Sequence, residues 1–118
     1  MRGERDANLE QLRAIAEKNR IKLAKGGICR YLGAILMNLG GSHLAEVERW
    51  MEKAIEADST NGMRFGLGLD HALYGEFFKQ QGELDKSRKE FGRAVEILRG
   101  CGADGWVKKY EEELAALA

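Results

Sequence analysis

The stretch that decides the fold is LYGEFFKQQGELDKSRKEFGRAVEIL, residues 73–98. On both sides of Gly82 its apolar residues recur every three or four positions, which is the period of a helix with one buried face. Gly82 stands where the first helix has to end, and glycine readily takes the left-handed conformation found at helix C-termini. The stretch therefore predicts two helices joined by a tight turn, which makes them antiparallel neighbours.

An earlier segment carries the same pattern. Residues 31–55, YLGAILMNLGGSHLAEVERWMEKAI, align with that stretch at an offset of 42 residues in the first helix and 40 residues in the second. The aligned pairs are Gly33 and Gly75, Gly40 and Gly82, Leu44 and Leu84, Met51 and Phe91, Ala54 and Ala94, and Ile55 and Val95. The two extra residues fall in the turn GGSH, where a change of length is tolerated. We interpret the two segments as an internal duplication of a helical hairpin.

The paired glycines predict a close contact within each hairpin. Gly33 and Gly75 lie in mid-helix, where glycine is less favourable than alanine by roughly 1 kcal/mol. A glycine at the same place in both copies therefore indicates that two helices approach closely there. We expect the second helix of each hairpin to present a small residue, Ala54 or Ala94, and a large residue one turn earlier that fills the adjacent gap.

The remaining segments extend this pattern to an all-α fold of about six helices in a single domain, residues 1–118. The apolar spacing divides the chain into a partial repeat at 8–17, repeat 1 at 21–57, repeat 2 at 63–99 and a capping helix at 104–117. The predicted N-terminal caps are Asn8 with Gln11 as a capping box, Ser42 and Asp104.

The pattern resembles tetratricopeptide repeats. The residues that carry the resemblance are Tyr74, Gly75, Phe78, Gly82, Phe91 and Ala94 in repeat 2, and Leu32, Gly33, Leu36, Gly40, Met51 and Ala54 in repeat 1. The period exceeds the ~34 residues of the standard repeat, and it is similar to the long-period type found C-terminal in bacterial AAA-type ATPases, nucleotide cyclases and maltose-activator-type regulators. The resemblance implies a right-handed superhelix of antiparallel hairpins that serves as a non-catalytic, regulatory or scaffold module for protein–protein interaction.

In such an array the first helix of each hairpin lines the concave surface. The residues of those helices that do not face the second helices form the predicted partner-binding surface: Arg30, Ala34, Met37, Asn38, Leu69, Ala72, Glu76, Lys79 and Gln80. This mixture of apolar, charged and amide side chains suits a peptide or helix bound in a groove. The first helix lacks a partner within its own hairpin, so we also expect either a homodimer through that end or a place in a larger multidomain regulator.

The charge of the chain argues against nucleic acid and membranes as partners. The 19 Lys and Arg residues balance the 19 Asp and Glu residues, whereas a protein that binds phosphates or anionic lipids needs a basic excess. No apolar run approaches the ~18 residues of a membrane span. The opening residues MRGERDANLE contain no apolar signal-peptide core, and we therefore expect a cytoplasmic protein.

One residue offers an alternative function, that of a histidine phosphotransfer protein using His71. Proteins of that kind are helical bundles with the histidine in an H-x-L-K-G setting. Here the segment is HALYG, so Gly75 is present but Tyr74 stands where a lysine would hold the phosphoryl charge. His43 has only Glu46 at helical spacing, which is too few ligands for a metal. We therefore predict no catalytic, cofactor-binding or metal-binding residue.

Three further features have structural interpretations. Cys29 and Cys101 lie far apart, and we interpret both as reduced, buried thiols. The glycine-rich segment GLGLD at 66–70 is not preceded by a strand, so it indicates close helix packing rather than a phosphate-binding loop. Trp50 lies beside the main apolar stripe, and the spacing leaves open whether it belongs to the core or to an interface.

Overall fold

The computed structural model describes residues 2–39 and 43–117, with side chains from residue 8 onward. Within these residues the chain forms six α-helices and no strand, which confirms the predicted all-α class and the number of helices. The helices are α1 (Arg2–Lys18), α2 (Lys22–Leu39), α3 (Leu44–Thr60), α4 (Arg64–Gln80), α5 (Leu84–Gly100) and α6 (Asp104–Leu117). Gly40 and the predicted cap Ser42 lie outside the described residues.

Three turns share one geometry and are spaced twenty residues apart. Each contains a glycine with positive φ: Gly62 at 69°, Gly82 at 76° and Gly102 at 71°. In each turn the amide after the glycine donates to a carbonyl of the preceding helix: Met63 to Asp58 at 2.9 Å, Glu83 to Phe78 at 3.0 Å and Ala103 to Leu98 at 3.0 Å. This bond satisfies a carbonyl that the helix end leaves unpaired, and it reverses the chain direction. The turn predicted at Gly82 is therefore found, and two others repeat it.

Two of the predicted helix starts are wrong. α1 already begins at Arg2, so Asn8 lies inside the helix and cannot cap it. The preceding segment RGERDA contains no proline and only one glycine, so nothing in it stops the helix from extending upstream. Asp104 is the first residue of α6 rather than its cap, because the carbonyl of Ala103 already accepts the first helical hydrogen bond, from Val107 at 3.0 Å.

The helices pack as two hairpins with α4 at the centre. α2 packs along α3 and α4 along α5, while α6 covers α5 and α4 also contacts both helices of the first hairpin. The first buried cluster comprises Leu9, Ala16, Cys29, Leu32, Leu36, Val47, Trp50, Met51, Ala54, Phe77 and Phe78. The second comprises Ala72, Phe91, Ala94, Val95, Leu98, Val107 and Tyr110. Because α4 contributes side chains to both clusters, it is the helix that joins the two halves of the core.

An ion pair and a short apolar edge fix α1 to the first hairpin. Leu9 and Ala16 lie in the first cluster. Arg13 donates from Nε and Nη2 to the two carboxylate oxygens of Glu46, at 2.7 and 2.9 Å, and this bidentate geometry fixes orientation as well as distance. The indole N–H of Trp50 donates to the same carboxylate at 3.0 Å. Trp50 is 1% exposed, so it is a core residue.

The predicted close contact is present in both hairpins. A Cβ added at Gly33 would lie 2.6 Å from Cε of Met51, and one added at Gly75 would lie 2.9 Å from Cδ1 of Phe91. In the second hairpin the buried hydroxyl of Ser87 also donates to the carbonyl of Gly75 at 2.8 Å. The glycines are therefore placed where the facing helix leaves no room for a side chain.

A second pair of glycines, which the sequence analysis did not align, follows the same offsets. A Cβ on Gly68 would lie 2.7 Å from Leu98 of the facing helix. Gly26, 42 residues earlier, faces Asp58, which is 40 residues before Leu98. The duplication therefore extends over two contact layers of each hairpin, and in one of them a carboxylate replaces a leucine.

Alanine substitutions at Gly33, at Gly75 and at a third glycine outside these contacts, Gly92, separate the effect of close packing from that of helix propensity. Gly75→Ala displaces the Phe91 ring, and we expect it to lower the free energy of unfolding by about 1–2 kcal/mol. Gly92→Ala, where nothing lies within 4 Å, should raise that free energy by about 0.5–1 kcal/mol. The free energy of unfolding of Gly33→Ala should lie between those of the other two variants, because the added Cβ contacts the flexible end of Met51. Urea unfolding followed by far-UV circular dichroism measures all three, and equal stabilities for Gly75→Ala and Gly92→Ala would contradict the close contact.

Candidate functional site

Two adjoining cavities open along the N-terminal half of α2. The first, about 320 Å³, lies between α1 and α2 and is lined by Leu12, Ile15, Ala24, Gly27, Ile28, Tyr31 and Leu32. The second, about 390 Å³, lies between α2 and the start of α4 and is lined by Leu23, Gly27, Arg30, Asp58, Gly62, Met63, Arg64, Phe65 and Gly66. Both are lined by Gly27, so they meet at a point of α2 that has no side chain.

Large apolar side chains surround these cavities and remain exposed. Ile15, Leu23, Tyr31 and Phe65 are 56%, 61%, 63% and 44% exposed. The ring of Phe65 lies 6.4 Å from that of Trp106 at the start of α6, so α6 is the fourth helix that contributes to the row, after α1, α2 and α4. We call these five residues the α2 surface. A cluster of exposed apolar side chains around a groove is typical of a site that another molecule covers.

A charged trio adjoins the second cavity, which two of its members, Arg30 and Asp58, line. Arg30 on α2 donates from Nη1 to Oδ1 of Asp70 at 2.8 Å and to the carbonyl of Gly66 at 3.2 Å. The same nitrogen lies 3.6 Å from Oδ2 of Asp58. Asp58 and Asp70 are 3% and 0% exposed, so the trio joins α2, the end of α3 and α4 in the interior.

Burial favours the protonated form of Asp70. Oδ2 of Asp58 and Oδ2 of Asp70 are both buried without a hydrogen-bond partner in the described structure. Burial first, and then the neighbouring carboxyl group of Asp58, raise the pKa of Asp70 to about 8, against the opposing effect of Arg30. An ionised carboxylate is costly in the interior beside a second carboxyl group. A proton on Asp70 at neutral pH therefore removes one negative charge from the trio.

The trio lies at the contact of α2, α3 and α4, which we call the first junction. The equivalent contact of α4, α5 and α6, the second junction, has no such trio. The offsets of the repeat place Ala72 at the position of Arg30 and Leu98 at that of Asp58. The twenty-residue spacing of the turns places Tyr110 at the position of Asp70. All three belong to the second apolar cluster. The fold can therefore build this junction from apolar side chains alone, and the charged trio is a specific feature of the first junction.

The predicted partner-binding residues lie on the expected helices but are mostly displaced from this site. Arg30 lines the second cavity, whereas the other eight line neither of the two. Met37 is half-buried against the first cluster and Leu69 against the second. Ala72 is fully buried, so the prediction that it contacts a partner is wrong, because α5 and α6 cover its side of α4.

The other predicted positions form a separate polar region toward the C-terminal ends of α2 and α4. Asn38 and Gln80 are exposed, and Ala34 and Glu76 are half-buried. Lys79 is exposed, but its ammonium group pairs with Glu113 of α6 at 2.9 Å. This lysine therefore joins α4 to the capping helix.

His71 is packed against α5 and is 6% exposed. Its Nδ1 lies 2.6 Å from Oε1 of Glu90, and the residue lines a cavity of about 390 Å³ together with Arg64 and Arg93. A carboxylate at this distance orients the imidazole ring. In this structure the histidine ties two helices together.

A larger cavity of about 460 Å³ lies among α1, α2 and α3, away from the α2 surface. Its charged lining residues are Glu17, Lys22, Lys25, Lys53 and Glu56. Because both cations and anions line it, the cavity does not point to a ligand of one charge.

The remaining candidate groups show no reactive arrangement. Cys29 is fully buried, and burial raises the pKa of its thiol. Cys101 is exposed, so the prediction that it is buried is wrong, and neither cysteine is disulfide-bonded. Among residues 2–39 and 43–117, no cluster of three or more His, Cys, Asp or Glu side chains could hold a metal ion. No helix in the same ranges combines the length and apolarity that a membrane crossing needs.

Comparison with known proteins adds no family and no fold relative. No protein-family model matches the chain. No solved structure matches it either. The α2 surface and the buried trio therefore have to be interpreted from their own chemistry.

Stability should depend on pH through the trio. The pKa of Asp70 is about 8 in the folded protein and its ordinary value is 3.8, so between these values the folded state holds a proton that the unfolded chain has released. The free energy of unfolding then falls as the pH rises, and the contribution is lost once the pH passes the folded pKa. Asp70→Asn keeps a hydrogen-bonding group but does not titrate, so we expect a flatter profile between about pH 5 and about pH 9.

Urea unfolding across that range measures the effect. Asp85→Asn is the matched control, because Asp85 is exposed and pairs only with Arg88, at 3.3 Å. It should retain the slope of the unaltered protein. Parallel profiles for Asp70→Asn and the unaltered protein would contradict the raised pKa of Asp70.

Proposed function

We propose that this chain is a non-catalytic protein–protein interaction module that binds a helix of its partner on the α2 surface. The single observation that carries the proposal is the row of exposed apolar side chains around two adjoining cavities. Leaving such side chains in water forgoes roughly 25 cal/mol for each Å² that a partner would cover. A partner that buries them gains that free energy on binding.

The shape of the surface favours a helical segment. The two cavities lie on either side of α2 and meet at Gly27, so each can receive one large side chain from the same face of a helix that crosses α2. Side chains at i, i+3 or i+4, and i+7 of an amphipathic helix occupy successive pockets in this mode of recognition. The groove passes from α1 across α2 to α4, which suits an elongated ligand.

The arrangement of the hairpins supports the architecture that the sequence resembles. α4 packs on both helices of the preceding hairpin, as successive units of a tetratricopeptide-like superhelix do. We include in the proposal a regulatory or scaffold role in a bacterial cytoplasm, for which the unbridged cysteines are supporting evidence. Self-association through α1 and α2 stays a prediction, and sedimentation velocity at tens of micromolar checks it.

The phosphotransfer alternative stays a prediction with less support. The burial of His71 and its contact with Glu90 mean that an incoming phosphoryl donor would have to displace part of the α4–α5 contact. Acid-labile phosphate on this histidine after incubation with a phosphorylated response regulator, absent in His71→Gln, would establish it.

A charge on the α2 surface should abolish partner binding. We expect Leu23→Glu to weaken binding by at least about tenfold, since it places a carboxylate in an apolar interface. Leu84→Glu is the matched control, because Leu84 is a similarly exposed leucine at the start of α5, outside the α2 surface. A photo-crosslinking residue at position 31 first captures the partner from lysate, and titration with the purified partner then measures both variants. Equal loss of affinity in both variants, or no loss in Leu23→Glu, would contradict the assigned surface.

A further inference from the structure

We infer that the cavity beside Phe65 receives a positively charged side chain of the partner, a lysine ammonium or an arginine guanidinium, which docks against Asp58, the carboxylate of the trio that lines this cavity. This inference rests on the proposed function and names the group that anchors the partner helix. The cation takes the place of the proton that Asp70 holds.

Without the proton on Asp70, the trio lacks one donor. Nη1 of Arg30 is already used by Asp70 and by the carbonyl of Gly66, at 2.8 and 3.2 Å. One buried oxygen on each of Asp58 and Asp70 has no hydrogen-bond partner. With both carboxylates ionised, one guanidinium leaves an excess negative charge, and a buried acceptor without a donor is costly. A second cation supplies both the donor and the balancing charge when the proton leaves.

Glycines line the cavity next to the trio. Gly27, Gly62 and Gly66 contribute no side chains to its walls. A Cβ at Gly66 would lie 2.8 Å from Oδ2 of Asp58. Gly66 therefore places no side chain between the cavity and the nearly buried carboxylate of Asp58.

The rim of the cavity suits the stem of a long cationic side chain. Leu23, Met63 and Phe65 line it, and the methylene groups of lysine or arginine pack well against such apolar walls. The face of an exposed aromatic ring also attracts a passing cation. Arg64 lies on the same rim but is exposed, so its side chain can turn to solvent when a cation enters.

The second junction shows that the fold does not need a charged trio to pack three helices together. Ala72, Leu98 and Tyr110 fill the equivalent positions with apolar groups. Replacing a buried ion cluster by apolar residues is often neutral or stabilising. The charges therefore occur at the junction that adjoins the α2 surface, and the equivalent positions of the second junction are apolar.

Two synthetic helical peptides test the inference. Both carry the same leucine face, and one has a central arginine where the other has citrulline, its uncharged isostere. We expect the arginine peptide to bind about tenfold more tightly, and Asp58→Asn to remove the difference. Asp85→Asn, which removes an exposed carboxylate on α5, should preserve it. A peptide pair that binds with equal affinity, while Leu23→Glu still weakens both, would overturn the cation site and leave the proposed function standing.

A measurement on the unaltered protein covers the case in which Asp58→Asn does not fold. Because the cation displaces the proton on Asp70, calorimetry near neutral pH in buffers of different ionisation enthalpy should show proton release with the arginine peptide only. Absence of that release would count against the inference.

In a further experiment, n-butylguanidinium and its neutral counterpart n-butylurea are titrated while the amide NMR signals of Gly66 and Phe65 are followed. Binding of n-butylguanidinium without binding of the arginine peptide would indicate a free small cation as the ligand and overturn the partner anchor.

Discussion

A backbone glycine pressed against a bulky side chain of the facing helix sets the geometry of both hairpins. At Gly33 the facing group is Met51, and at Gly75 it is Phe91. The absence of a Cβ lets the helix axes come close enough for Ser87 to reach the carbonyl of Gly75. This approach fixes how each first helix is rotated against its second helix. It thereby determines which side chains of α2 and α4 remain outside, including those of the α2 surface.

The duplicated contact makes the difference between the two halves informative. Both halves have a second glycine layer, at Gly26 and at Gly68, but the facing residue is Asp58 in one and Leu98 in the other. A carboxylate in that layer requires a cation, which Arg30 provides from the same helix as Gly26. The leucine requires nothing beyond apolar neighbours. One scaffold therefore supports an apolar junction and a junction with a buried charged trio beside an open cavity.

The hairpins could be predicted from the sequence because their signals are local. Helical periodicity, a glycine at each turn and the offset of the two copies were enough to predict the contacts of Gly33 and Gly75.

The site could be predicted only to the level of its helices. Ala72 has the spacing of a surface residue, and its burial depends on where α6 crosses. Asp58 and Asp70 look like ordinary solvent-facing charges, since only the tertiary fold brings them to Arg30. The pairs Gly26-Gly27 and Gly66-x-Gly68 were the one local sign that a close approach or an opening lay there.

The position of the charged trio beside the α2 surface links partner binding to the contact between the two hairpins. The trio takes one residue from each of α2, α3 and α4, so a group that binds to it contacts both hairpins at once. Any ligand that binds the assembled junction and not the separated hairpins stabilises the assembly by mass action. The reverse also holds by linkage, because a change that loosens the junction weakens the binding of the ligand by the same free energy. An apolar junction would make the array more uniform, but it would give a partner no means to sense or to fix how the first hairpin sits on the second.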